Sequence, residues 1–207
     1  MSIETWLAFS AASAVLLLMP GPTILLVMSY ALGQGMRAAL PLAVGVGLGD
    51  LTAMTLSMLG VGALLATSAM LFTILKWIGA AYLIWLGISL WRAGSRLEAK
   101  PRRDDAPALR MLGHAWLVTA LNPKGITFFV AFLPQFIDQH GDFWTQMLIF
   151  EATFICLAFA NVLGYGLIAS QARSFVQSER ATGVLNRVGG ALLIGAGVAA
   201  AGLRSSQ

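Results

Sequence analysis

Asp50, Lys124 and Glu151 are charged side chains set in otherwise apolar stretches of this 207-residue chain. Asp50 falls about nine residues into an apolar run, on the order of 13 Å from its start at the rise of a helix. A carboxylate at that depth cannot reach bulk water, and it costs several kcal/mol unless hydrated, paired or protonated. Two chemistries suit it: loading and releasing a proton, or countering the charge of a bound ammonium. Lys124 has apolar neighbours on both sides, so its ammonium suits a carboxylate ligand; the structural alternative is an ion pair with Asp50 that ties two helices together. Glu151 lies nearer an acidic connection, where an interfacial acid facing water competes with a functional role.

Prolines mark the second kind of signal. Pro20, Gly21 and Pro22 interrupt the first apolar run, and Asn122 and Pro123 precede Lys124 in the fourth. A proline inside a helix removes one main-chain hydrogen bond and collides with the preceding turn. Both helices should therefore break, and broken helices expose unpaired main-chain groups that bind charged cargo.

The elements that must hold these residues are transmembrane. The sequence is 58% hydrophobic and 11% charged, with a mean hydropathy of +0.80, far from the balance of a soluble domain. No charged residue occurs between Glu4 and Arg37, and a bilayer needs about 20 apolar residues per helix. Strand-like alternation is missing, so a membrane β-barrel is disfavoured. Helices are expected at about 5–32, 41–66, 70–92, 110–137, 143–170 and 182–203. The polar loop between the third and fourth holds Arg92, Arg96, Lys100, Arg102, Arg103 and Arg110, six of the 13 basic residues. The positive-inside rule places that loop in the cytoplasm and both termini in the periplasm. Topology thus accounts for the net charge of +4, and no nucleic-acid partner is expected. Glu4 stands where a signal peptide would be basic, so the first run reads as a retained helix. The single cysteine, Cys156, rules out an internal disulfide and reads as a packing residue.

The expected fold class is all-α: six transmembrane helices forming two inverted three-helix repeats, 1–91 and 110–207, around a cytoplasmic basic loop at 92–109, with helices one and four discontinuous. A shift of 101 superposes Pro22 on Pro123, Gln34 on Gln135, Asp50 on Glu151 and Thr52 on Thr153, and a shift of 110 superposes Gly79 on Gly189 and Gly87 on Gly197. Gly45 and Gly49 form a small-residue step that reads as helix packing.

These motifs, MPGP at 19–22, GVGLGD at 45–50, LKWIGAAYLIWLG at 75–87 and NPKGITFFVAFLPQF at 122–136, resemble those of the LysE/RhtB family of amino-acid exporters in order and spacing. The resemblance implies a six-helix inner-membrane exporter of amino acids or related metabolites, driven by the proton motive force. It points to Pro20, Gly21, Pro22, Asp50, Asn122, Pro123 and Lys124 as the site, with Glu151 added by the repeat alone. The expected partners are a small amino-acid substrate and the lipid bilayer; no cofactor is expected, and the sequence is compatible with a homo-oligomer. A metal-ion exporter using intramembrane acids is the alternative, although His114 and His140 stand alone and no ligand motif accompanies them. An intramembrane enzyme would need a nucleophile and base, and no such grouping occurs.

Overall fold

The computed structural model describes residues 1–67, 106–138 and 141–171, together with isolated helical positions between 70 and 92 and between 184 and 198. The expected third and sixth helices and the basic loop lie largely outside the described residues. Every regular element that is described is helical. Helix α1, Ile3–Leu18, starts at Ser2, whose hydroxyl accepts the Thr5 amide at 3.2 Å. It stops where Pro20 has no N–H to give the Leu16 carbonyl. Helix α2, Pro22–Gln34, begins on a proline whose fixed φ suits the first helical position. It ends at Gly35, whose φ of 66° is the one positive value among the described residues. A short 3-10 turn, Gly35–Ala38, leads into α3, Ala39–Thr67.

The second set of elements repeats the interruption. Helix α4, Ala108–Ala120, is followed after a two-residue break by α5, Pro123–Thr127. This continues as a π turn, Phe128–Phe132, and a 3-10 turn, Leu133–Phe136. Pro134 is the physical reason for the irregular ending: its ring collides with the carbonyl four residues back and offers no hydrogen bond, and a wider turn relieves the clash. The segment beyond Pro123 is bent by 42° from α4. Helix α6, Phe143–Gln171, has 29 residues, as does α3. Each is about 43 Å long at 1.5 Å per residue, enough to cross a hydrocarbon core of about 30 Å.

Among the described residues two runs are long and apolar enough to cross a membrane, Pro22–Gly60 and Phe143–Ser170, and a third if the bent pair Ala108–Ala120 with Pro123–Phe136 is one span. Their outward faces remain apolar. On α3, Leu40, Val44, Leu48, Leu51, Leu56 and Leu59 are exposed while Leu42, Val46, Ala53, Met54 and Met58 are buried, a division that suits lipid outside and protein inside. Cys156 is exposed on α6, which corrects the packing role expected for it: its helical position falls between the buried residues Phe154 and Ala158 and turns outward.

Helix directions follow from the contacts. Trp6 donates its indole N–H to Thr153 Oγ1 at 3.0 Å, and the Tyr165 hydroxyl donates to the Leu18 carbonyl at 2.7 Å, so α1 and α6 run parallel. Helices α3 and α4 are also parallel. A Cβ on Gly45 would strike the Leu112 carbonyl and Ala115, and one on Gly49 would come within 2.6 Å of Thr119 Cβ and 2.8 Å of the Trp116 carbonyl. Only glycine permits that approach. Ala39 lies against Gly166, and Thr55 against Glu151, which makes α3 and α6 antiparallel. Phe9, Phe128, Phe132, Phe136, Phe150 and Phe154 pack together between α1, the π and 3-10 turns after α5, and α6, with ring centroids as close as 4.6 Å for Phe9 and Phe150.

Candidate functional site

The two helix interruptions meet. Asn122 closes α4 and caps α5: its Oδ1 accepts the Lys124 amide at 3.1 Å, while its Nδ2 donates to Thr23 Oγ1 at 3.1 Å in the first turn of α2. Thr23 in turn shares a hydrogen bond of 3.2 Å with Thr119 Oγ1 on α4. Three buried polar side chains thus join the end of one broken helix to the start of the other. In an apolar bundle such polar contacts are specific, because each unmet partner would be left without water.

Lys124 reaches across the first interruption. Its ammonium donates to the Leu16 carbonyl at 2.9 Å and to the Met19 carbonyl at 2.8 Å. Leu16 would ordinarily bond the N–H four residues on, but that residue is Pro20 and has none, which leaves Leu16 a 3.3 Å bond from the Met19 N–H. The lysine therefore replaces a donor that the sequence withholds, at a helix C-terminus whose partial negative charge favours a cation. Tyr165 takes the neighbouring Leu18 carbonyl at 2.7 Å. The lysine stem lies over Gly21, with Nζ 3.5 Å from where a Cβ would stand. Gly21 itself has extended backbone and opens α2 without a side-chain cap, so the first amides of that helix keep no side-chain acceptor.

Asp50 is buried on α3, with 6% of its surface exposed. Its neighbour Gly49 packs against Thr119 and the Ala120 amide, which sets the carboxylate beside the second interruption. Lys124 is the charge that acts on it, and Asp50 is the charge that acts on Lys124. No hydrogen bond reaches Asp50 Oδ2. A buried acceptor without a donor is uncommon and costs about 1–3 kcal/mol or more when charged, which makes Asp50 a candidate ligand position; Ser13 Oγ and Asn161 Oδ1 are buried and unpartnered as well.

Of the residues singled out by sequence, Pro20, Gly21, Pro22, Asn122, Pro123 and Lys124 form one cluster, and Asp50 borders it. Glu151 stands apart. It is buried, which removes the water-facing reading, and it accepts the Thr55 hydroxyl at 2.5 Å. Thr55 is five residues beyond Asp50, about 7.5 Å further along α3. Thr23, Thr119, Thr55 and Tyr165 escaped the sequence reading. Thr23 directly follows MPGP and Thr119 stands three residues before Asn122, a spacing that could have raised both; nothing in the sequence distinguishes Thr55 or Tyr165. Among the described residues no group of three or more His, Cys, Asp and Glu could hold a metal ion, so the cation-carrier alternative finds no ligand set there.

Comparison with known proteins places the chain in a family. The family model for LysE type translocators matches residues 14–202. An uncharacterized membrane protein of Vibrio cholerae is 36% identical over 96% of this chain and 97% of its own length. The homoserine/homoserine lactone efflux protein of Salmonella typhimurium is 34% identical over 97% of this chain and 98% of its own. A leucine efflux protein of an Enterobacter species is 35% identical over 70% of this chain and 69% of its own. No solved structure is a significant match.

Proposed function

The chain belongs to the LysE family of translocators, and from that premise we propose that it exports neutral amino acids or close derivatives across the bacterial inner membrane, coupled to the proton gradient. The observation that carries this reading is the meeting of two broken helices beside a buried carboxylate with an unpartnered oxygen. Two relatives are named for efflux of homoserine, homoserine lactone and leucine. The lactone has no free carboxylate, so what these molecules share is an α-ammonium on an otherwise uncharged body. Asp50 is the counter-charge for that ammonium. A cargo carboxylate, where present, meets the uncapped first turn of α2, whose amides and dipole favour an anion.

Alternating access fits the architecture. The interruptions supply hinges, and the glycine-lined seam of α3 on α4 supplies a close, smooth contact. An inverted repeat is supported by paired detail. Pro22 and Pro123 each open the second half of a broken helix. Thr52 and Thr153 each bond back to the carbonyl four residues earlier at 2.7 Å, and each accepts a tryptophan indole N–H, from Trp116 and Trp6 respectively. Parallel α3 and α4 also require an odd number of crossings between them, which a third helix at 70–92 would supply. With the basic loop inside, both termini face the periplasm.

Expression in a sensitive host tests the cargo. Cells carrying the chain should tolerate inhibitory homoserine or leucine and hold less of it inside than cells with the empty vector. Equal intracellular levels for every neutral amino acid tried, with the protein present in the membrane, would remove the proposal.

A further inference from the structure

The ammonium of Lys124 rests on two carbonyls at the end of α1, that of Met19 and that of Leu16, which keeps only a 3.3 Å bond from the Met19 N–H, beside a carboxylate with a free oxygen. The open end of a half-helix is a cation seat, used in other carriers for a coupling ion. Here the seat is filled by a cation tethered to the chain. Resting on the export function proposed above, we infer that Lys124 carries the exchanged proton: its ammonium holds the seat in the absence of cargo, and cargo's own ammonium takes that seat when Lys124 is neutral.

The cycle balances. Facing the cytoplasm, one Nζ–H bond of Lys124 breaks, the electron pair stays on the nitrogen and the proton passes to water on that side. The amine then loses its charge-assisted bonds to Leu16 and Met19. Cargo enters with its ammonium, which meets those carbonyls and Asp50. Once cargo has left to the periplasm, a proton from water there adds to the Nζ lone pair and the seat is filled again. One proton moves inward for each cargo moved outward, and Asp50 faces one cation in every state. Sequence alone leaves Asp50 two roles, proton carrier or counter-charge to an ammonium; the contacts of Lys124 point to the lysine for the proton and leave Asp50 as the fixed counter-charge. The other titratable group near the seat, among the described residues, is the Tyr165 hydroxyl from α6, bound to Leu18; Glu151, also on α6, stands apart and is bound to Thr55. At the seat α1 and α2 present main-chain and hydroxyl groups.

The test uses the purified full chain with homoserine or leucine as probe. In weakly buffered detergent solution near neutral pH, cargo binding to the wild type should release one proton per cargo bound, read with a pH-indicator dye. In vesicles, Lys124→Met should still exchange labelled cargo for unlabelled cargo, yet lose accumulation driven by a pH gradient by about tenfold or more. Lys124→Arg keeps donors for the carbonyls but cannot release a proton, so it should lose exchange and accumulation together. Replacing sodium with choline should change no flux.

Binding without proton release in the wild type overturns the assignment, and this reading requires no variant to fold. Gradient-driven accumulation by either variant overturns it as well. Loss of exchange by Lys124→Met, at normal membrane abundance, would make the lysine a ligand or a strut instead. In each of these cases the wild type still moves amino acids. A wild type that neither binds nor exchanges any amino acid removes the export function, and the inference with it.

Discussion

Asp50 and Lys124 are each the other's neighbouring charge beside the two helix interruptions. Asp50→Asn keeps the shape and removes the charge. Insertion should be unimpaired, since an apolar surrounding tolerates an amide better than a carboxylate. Cargo affinity should fall at least about tenfold, the loss expected when one partner of a buried charge pair is neutralised, and titration of the purified variant with homoserine or leucine checks it. Unchanged affinity would separate Asp50 from the cargo. The sequence made Asp50 and Lys124 visible through their charge against an apolar background. It hid what Lys124 touches, because its partners are main-chain carbonyls 108 and 105 residues away. Pro20 was the available clue: a proline leaves the carbonyl four residues back without its donor, and some other group must supply one.

At the level of elements, the breaks before Pro22 and Pro123 were legible, since a missing N–H acts locally. The π and 3-10 turns after Thr127 were less so. Pro134 announces a disturbance, yet whether a helix kinks, widens or stops depends on the phenylalanines packed around it. The GxxxG step at Gly45 and Gly49 read as packing, and the structure gives it a partner in α4. Gly49→Val should push α3 away from Thr119 and the Trp116 carbonyl, destabilising the folded protein by about 1–3 kcal/mol, the range for overpacking. Gly60→Ala meets nothing within 4 Å and serves as the control. Thermal unfolding in detergent should separate the two; a Gly49→Val protein as stable as the wild type would mean the close seam is not a constraint.

For the whole molecule, composition alone pointed to a lipid solvent and to helices. The apolar outward faces and the long runs of α3 and α6 agree with that reading. Parallel and antiparallel directions were not legible, because they are fixed by contacts such as Trp6 with Thr153 that no local pattern announces. The proposed orientation rests on the six basic residues of the loop. Alkaline phosphatase fused at Gln207 should be active and fused near Lys100 inactive; the reverse pattern would turn the molecule over, and the same result at both sites would cancel the inverted repeat. The central claim, proton-coupled export through the meeting point of two broken helices, is tested most directly in vesicles reconstituted with the purified chain. Labelled homoserine or leucine is followed while a pH gradient is imposed across the membrane. The account predicts accumulation against the cargo gradient on the acidic side, abolished by a protonophore; cargo movement indifferent to the pH gradient, or no movement of amino acids at all, would contradict it.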